Sequence, residues 1–263
     1  MSNSSKQDIP PFNSPFRGLG GMVSLVDSGK RFNRDWIFRH VTYTFETGRS
    51  YAITGPNGSG KSTLLQAIAG SMNLSEGSLE YRGKEQEPRI KNQGTSIHHP
   101  VSSIQYPVSS TQHPASSIQY PASGIIDPEK IYQHLSIAAP YLELIEEMTA
   151  KEFLHFHHQF KPLLSSVSID EIISIIGLEN AADKQIRYFS SGMKQRIKLA
   201  QAIFSDVPVL LLDEPCTNLD SSGYQLYHDL ITIYCAHKLI LVSSNDAQEM
   251  DFCTEKLNIL DYK

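Results

Sequence analysis

The chain has 263 residues, enough for one large domain and for burial of most of its apolar surface. Hydrophobic residues make up 40% and charged residues 19%, which excludes a chain disordered throughout. The net charge of −5 argues against broad electrostatic binding to nucleic acid, so no nucleic-acid partner is expected.

Residues 1–20 read as a polar tail rich in Pro and Ser, without the apolar core of a signal peptide. No run reaches the roughly 18 apolar residues that a membrane span requires. Cys216, Cys235 and Cys253 cannot all pair and match no metal-ligand spacing, so a reducing, cytoplasmic setting is expected. Residues 21–263 read as a single domain.

Met22–Val26 and Val41–Phe45 are two apolar patches flanking the polar stretch SGKRFNRD, read as a turn between strands. Ser50–Thr54 is a short strand running into a glycine-rich loop. Leu64, Leu65 and Ile68 then carry helical spacing, with Gly70 as a stop. Gly77–Gly83 reads as a further short strand.

Residues 84–130 change character. Between Asn92 and Ile126 there is no Lys, Arg, Asp or Glu, and Pro100, Pro107, Pro114 and Pro121 recur every seven residues. A fourteen-residue unit, HPVSSIQYPVSSTQ, is followed by HPASSIQYPASGII. A proline in every repeat breaks any helix, so the heptad spacing reads as a low-complexity insertion rather than a coiled coil. His98, His99 and His113 have no acidic or Cys companions nearby and do not suggest a metal site.

Leu135–Ala138 reads as a strand ended by Pro140. Thr149 with Glu152, and Ser168 with Glu171, are capping boxes that open two helices. The first runs through Phe160 and carries His155, His157 and His158, read as a polar face. A third helix covers Ser191–Phe204, followed by the strand Val209–Leu212, a helix over Ser221–Ala236 and the strand Leu239–Val242. A short helix near Asp246–Asp251 and a last strand, Leu257–Leu260, complete the pattern. Strands alternating with helices imply an α/β fold with a mostly parallel sheet.

Gly55-Pro56-Asn57-Gly58-Ser59-Gly60-Lys61-Ser62 fits the phosphate-loop pattern in its required setting, a strand before and a helix after. The glycines let successive N–H groups turn inward as an anion nest. Lys61 is placed to reach the β- and γ-phosphates, Ser62 to ligate Mg²⁺, and Thr63 to donate to the α-phosphate. Val209–Leu212 delivers Asp213 and Glu214 at its C-terminal end, where open α/β sheets bind ligands. Asp213 is the second candidate for holding Mg²⁺, and Glu214 the candidate for polarising the attacking water.

Phe189-Ser190-Ser191-Gly192-Met193, opening a helix shortly before the acidic strand, resembles the L-S-G-G-Q signature of ATP-binding-cassette (ABC) ATPases. Thr217-Asn218-Leu219-Asp220 is similar to that family's D-loop, and GPNGSGKSTLL and LLLDEP match its favoured forms. The resemblance covers Met22 to Leu260 without the insertion. It implies a P-loop NTPase core, an N-terminal antiparallel β-subdomain and an ABC helical subdomain over 139–188. It further implies ATP and Mg²⁺ as ligands and two cassettes, identical or different, arranged head to tail. Ser190, Ser191 and Gly192 of one cassette would then meet the γ-phosphate held by the other. Polytopic permease subunits would be the membrane partners, with the cassette peripheral on the cytoplasmic face. For adenine stacking the resemblance implies an aromatic before the loop, Phe32 first and Trp36 second. A soluble cassette of the cofactor-assembly type and a slowly cycling scaffold are the competing readings.

Two positions depart from the family. Tyr141, after Pro140, stands where the family has a Gln, with Glu143 nearby as a substitute oxygen. Asn245 stands where the family has a γ-phosphate-contacting His; it can donate a hydrogen bond to phosphate but takes no proton at neutral pH.

Overall fold

The computed structural model describes residues 22–82 and 125–263. The N-terminal tail, the proline repeat and His98, His99 and His113 lie outside the described residues. Strands β1 (Met22–Phe32) and β2 (Asp35–Glu46) open the fold, followed by β3 (Ser50–Thr54), α1 (Lys61–Ile68) and β4 (Glu76–Arg82). After the gap come β5 (Leu135–Ala138), α2 (Ala150–Phe160), α3 (Ile169–Ile175) and α4 (Ser191–Ile203). The chain continues through β6 (Val209–Asp213), α5 (Ser221–Tyr234), β7 (Leu239–Ser243) and β8 (Glu255–Asn258).

Two sheets result. β2, β1 and β4 form an antiparallel sheet, and the other five strands form a parallel one in the order β5-β6-β7-β3-β8. The parallel strands are short and apolar, as strands covered on both faces must be. Period-two alternation divides them between two cores. Leu210, Leu212, Ile240 and Val242 join α2, α3, α4 and α5 on one face. Val209, Leu211, Leu239 and Leu241 join α1 and the antiparallel sheet on the other. The antiparallel and helical parts expected beside the parallel core are therefore present, with residues 139–188 holding α2 and α3.

The capping boxes form as the sequence predicts. Thr149 and Ser168 each accept from the backbone N–H three residues on, and Glu152 and Glu171 accept in return from the cap N–H. The first hairpin is longer than expected, because strand continues through most of SGKRFNRD and only Asn33 and Arg34 turn. An antiparallel face open to water needs no apolar residues. Here it is pinned by polar contacts, Lys30 Nζ to Asn73 O at 2.7 Å and Arg31 N to Ser75 Oγ at 3.1 Å.

The last strand ends at Asn258, two residues earlier than the pattern suggests, because the Asn258 side chain accepts from Leu260 N and caps a tight turn. His157 does not sit on a free polar face: its Nε2 lies 2.9 Å from Ser205 Oγ. Ser205 spends its own proton on Gln201 O at 2.6 Å, so His157 must be the donor.

The described chain departs at Arg82 and returns at Ile125, which face each other in an antiparallel bridge. Ile126 N donates to Tyr81 O at 2.8 Å beside it.

Candidate functional site

The site candidates gather at the C-terminal edge of β3, β7 and β6, three neighbouring strands of the parallel sheet. The glycine-rich loop leaves β3 and enters α1 through Gly60, a left-handed N-cap at φ 103° with no side-chain cap and no acidic residue in the first turn. The first amides of α1 thus have no protein anion competing for them, the condition for binding a phosphate at a helix N-terminus. A Cβ on Gly60 would overlap Ile37 Cγ2, so only glycine lets the loop lie against β2. Ile37 lines the loop's cavity of about 200 Å³ together with residues 57–63 and Glu214. It is an apolar contact that the sequence reading missed.

Lys61 is buried, and its ammonium folds back over the loop. Nζ donates to Gly55 O at 2.9 Å, to Pro56 O at 3.3 Å and to Asn245 Oδ1 at 3.0 Å. Asn245 Nδ2 in turn donates to Asn57 Oδ1. Asn245, from the loop after β7, is therefore drawn onto the phosphate loop.

Asp213 and Ser243 are register partners at the ends of β6 and β7. Asp213 is 2% exposed, and its Oδ1 has no hydrogen-bond partner; the same holds for the buried Ser59 Oγ and Ser243 Oγ. A buried carboxylate oxygen without a partner is costly, and a hard oxygen of this kind suits Mg²⁺. With the Ser62 hydroxyl in the first turn of α1, the donor set fits that ion. The nest, Lys61 and the uncapped helix start fit a triphosphate.

Glu214 lines the same cavity and holds φ +43°, the left-handed region. Partial burial raises the pKa of the Tyr141 phenol, the neighbouring Gln66 side chain opposes this, and the nearby Asp213 charge adds to it. Tyr141 thus faces α1 and the acidic strand from the helical side. Phe32 is 46% exposed at the end of β1, with Lys30 Nζ 5.1 Å from its ring centre. Trp36 lies against Arg31 and Arg39, whose guanidinium carbons are 5.5 and 4.4 Å from its ring. Neither ring lines the loop cavity.

The signature candidates lie elsewhere. Ser190 is the N-cap of α4, accepting from Met193 N at 3.3 Å, and Ser190 and Ser191 are exposed. A Cβ on Gly192 would sit 3.0 Å from Asn218 O, so the absence of a side chain lets the D-loop candidate pack on α4. Ser190, Ser191 and Gly192 line an open cavity of about 510 Å³ with Asn218, Leu219 and Asp220. No residue is shared between this cavity and the phosphate-loop cavity. A further cavity of about 350 Å³ is lined by Asn57, Glu214 and Asn245 together with Asn218 and Leu219, so one chain gathers the loop, Asp213, Glu214 and Asn245, while Ser190, Ser191 and Gly192 reach only the cavity beyond Asn218 and Leu219. Among the described residues no cluster of His, Cys, Asp and Glu could hold a metal on its own, and no helix is long and apolar enough to cross a membrane. The three cysteines are free.

A family model described as "ABC transporter" matches residues 38–217. An uncharacterised ABC transporter ATP-binding protein of Bacillus subtilis, YybJ, is 29% identical over 210 residues, 80% of this chain and 78% of that protein. The lantibiotic transport ATP-binding protein SrtF of Streptococcus pyogenes is 23% identical over 240 residues, 91% and 86% of the two chains. Among solved structures, a putative ABC transporter ATP-binding protein of Pyrococcus furiosus superposes with a TM-score of 0.65 at 16% identity, covering 92% of this chain and 99% of that one. A dimeric bacterial ABC transporter cassette gives 0.64 at 19% identity, covering 90% and 94%. At these identities the structures speak for the fold alone.

Proposed function

The chain belongs to the ABC transporter family as an ATP-binding subunit, and we propose that it hydrolyses ATP with Mg²⁺, Glu214 serving as the general base. The observation that carries this reading is the partnerless, buried Asp213 Oδ1 at the strand end, one residue before a carboxylate that opens onto the phosphate-loop cavity. When bound, ATP and Mg²⁺ supply the phosphoanhydride to be broken and the Lewis acidity that neutralises its developing charge. Ser62 and Asp213 would hold the ion. Gly55 and residues 57–60 would present their backbone N–H groups to the phosphates, Pro56 shaping the loop without a donor of its own, and Thr63 would present its hydroxyl. Lys61 would exchange its contact with Asn245 for a phosphate oxygen, and the Asn245 amide would then be released to donate to the γ-phosphate. Glu214 would orient water and take its proton. Phe32 remains the candidate for adenine, at the open end of β1.

That Ser190, Ser191 and Gly192 line no part of the phosphate-loop cavity supports a site shared between two cassettes, whether two copies of this chain or this chain with another cassette. Ser190, Ser191 and Gly192 of one would close over the γ-phosphate in the other. We further propose that the cassette lies on the cytoplasmic face of the membrane, coupled to separate polytopic permease subunits. The relative SrtF carries "lantibiotic transport" in its name, which supports a transport role of this general kind.

The test is Glu214→Gln. It should abolish phosphate release while ATP binding persists, and with turnover gone the ATP-bound protein should elute as a dimer. A Glu214→Gln protein hydrolysing at the wild-type rate would remove Glu214 from the mechanism.

A further inference from the structure

The peptide group joining Pro215 to Cys216 is gripped on both edges by buried side chains from two different elements. Its carbonyl accepts from Gln195 Nε2 at 2.6 Å, and its N–H donates to Glu249 Oε1 at 2.7 Å. Gln195 belongs to α4 and is 4% exposed; Glu249 belongs to the short turn Ala247–Met250 and is 3% exposed.

Glu214 precedes Pro215 and is the strained residue of this segment. A glutamate at φ +43° persists only where its surroundings over-determine it. Three contacts hold Glu214 itself. Its N–H donates to Ser243 O at 2.8 Å, and its carbonyl accepts from Thr217 N at 3.2 Å and from Thr217 Oγ1 at 2.9 Å. The two Thr217 contacts close a turn over Pro215 and Cys216, and the peptide group between those two residues is held from outside that turn by Gln195 and Glu249.

We propose that Gln195 and Glu249 are positioning residues that clamp the Pro215–Cys216 peptide, set the direction of the Glu214 carboxylate, and tie it through Gln195 to the helix capped by Ser190. This rests on the reading of Glu214 as the hydrolytic group. Because Gln195 lies within the same helix as Ser191 and Gly192, a shift of α4 on engagement of a second cassette moves Pro215 O with it. Each cassette's own carboxylate thereby senses occupancy of its signature face. Glu249 acts on this peptide group as an acceptor, and the side-chain oxygen of a glutamine can accept from Cys216 N in the same way.

The experiment uses the full chain with Gln195→Met, Glu249→Leu, Glu249→Gln and the double variant Gln195→Met/Glu249→Leu. Turnover is measured beside the dissociation constant of a fluorescent ATP analogue. Amide hydrogen exchange at Cys216 is followed in nucleotide-free protein. The expected result is a loss of about tenfold or more in kcat for Gln195→Met and for Glu249→Leu, with nucleotide affinity within about twofold of wild type. Glu249→Leu loses protection at Cys216. Glu249→Gln recovers most of the turnover, and the double variant is little worse than the weaker single one. The two single variants are read separately, so failure of one to fold leaves the other as the test. Unchanged kcat with Cys216 protection lost would overturn the clamp, as would a parallel fall of kcat and affinity shared by Glu249→Leu and Glu249→Gln. A wild-type protein without turnover whose Cys216 amide stays protected would instead overturn the role of Glu214, and with it what the clamp is for.

Discussion

Lys61 Nζ donates to Asn245 Oδ1 at 3.0 Å, and this contact alone among the three that occupy the ammonium comes from a side chain. The two carbonyl acceptors, on Gly55 and Pro56, are part of the loop itself. An entering phosphate must therefore displace Asn245, which can rotate away where the backbone cannot.

Asn245→Asp tests that competition. A carboxylate on the ammonium is a stronger partner than an amide oxygen, since charged hydrogen bonds are roughly twice as strong as neutral ones. It would also repel the incoming anion. ATP affinity should fall by about tenfold or more, equivalent to about 1.4 kcal/mol. Equilibrium titration with ATP measures it, and an Asn245→Asp protein binding as tightly as wild type would contradict the exchange of partners at Lys61.

The His157 contact predicts an acid-labile fold. Burial, with smaller contributions from Lys161 and His158, lowers the pKa of His157 to about 4 from an ordinary 6.5. A lowered folded-state value means that the unfolded chain takes up the proton first as pH falls. The stability tied to His157 is fully present above about pH 6.5 and is lost as pH drops towards about 4. The slope from one such group is at most about 1.4 kcal/mol per pH unit. Thermal unfolding between pH 7 and pH 5 should show a shallower decline in His157→Gln than in wild type. Identical slopes would show that His157 is not the responsible group.

Lys238 offers a stability test away from the site. It is 1% exposed, and Nζ donates to Ile203 O and to Ser205 O, each at 2.7 Å, closing the C-terminal end of α4. Burial lowers its pKa, while Cys235 and Asp206 oppose the shift. Lys238→Met keeps most of the volume but leaves two buried carbonyls without this donor. A loss of about 1–2 kcal/mol is expected, chiefly from Ile203 O, because Ser205 O keeps the N–H of Val207 at 2.9 Å. Denaturant unfolding of the two proteins measures the difference, and a variant as stable as wild type would mean that another donor replaces the ammonium.

Much of this arrangement was legible in the chain. The two capping boxes carry their own instructions within four residues, and both form with their reciprocal hydrogen bonds. GPNGSGKST likewise specifies its strand, loop and helix locally, because glycine positions dictate where the backbone turns. Unbroken apolar runs in β6 and β7 announced strands covered on both faces. What stayed hidden depends on distance in sequence. Gln195 meets Pro215 across 20 residues and Glu249 meets Cys216 across 33, and neither residue type signals such a contact. Both contacts also require the left-handed turn at Glu214, which favours glycine and so is invisible at a glutamate. His157 was misread for the opposite reason. Its neighbours His155 and His158 suggested a wet face, while the Ser205 hydroxyl that draws it inward arrives from the far end of α4. The length of the first hairpin was missed because its continuation is polar, and periodicity detects only strands with an apolar face.

Arg82 and Ile125 stand opposite each other, so the fold itself holds shut the doorway through which the proline repeat leaves and returns. The closure cost of a chain segment rises only with the logarithm of its length, by about 0.6 kcal/mol for each doubling. A bridge that fixes both ends leaves the distance to be spanned between them independent of the number of residues that span it.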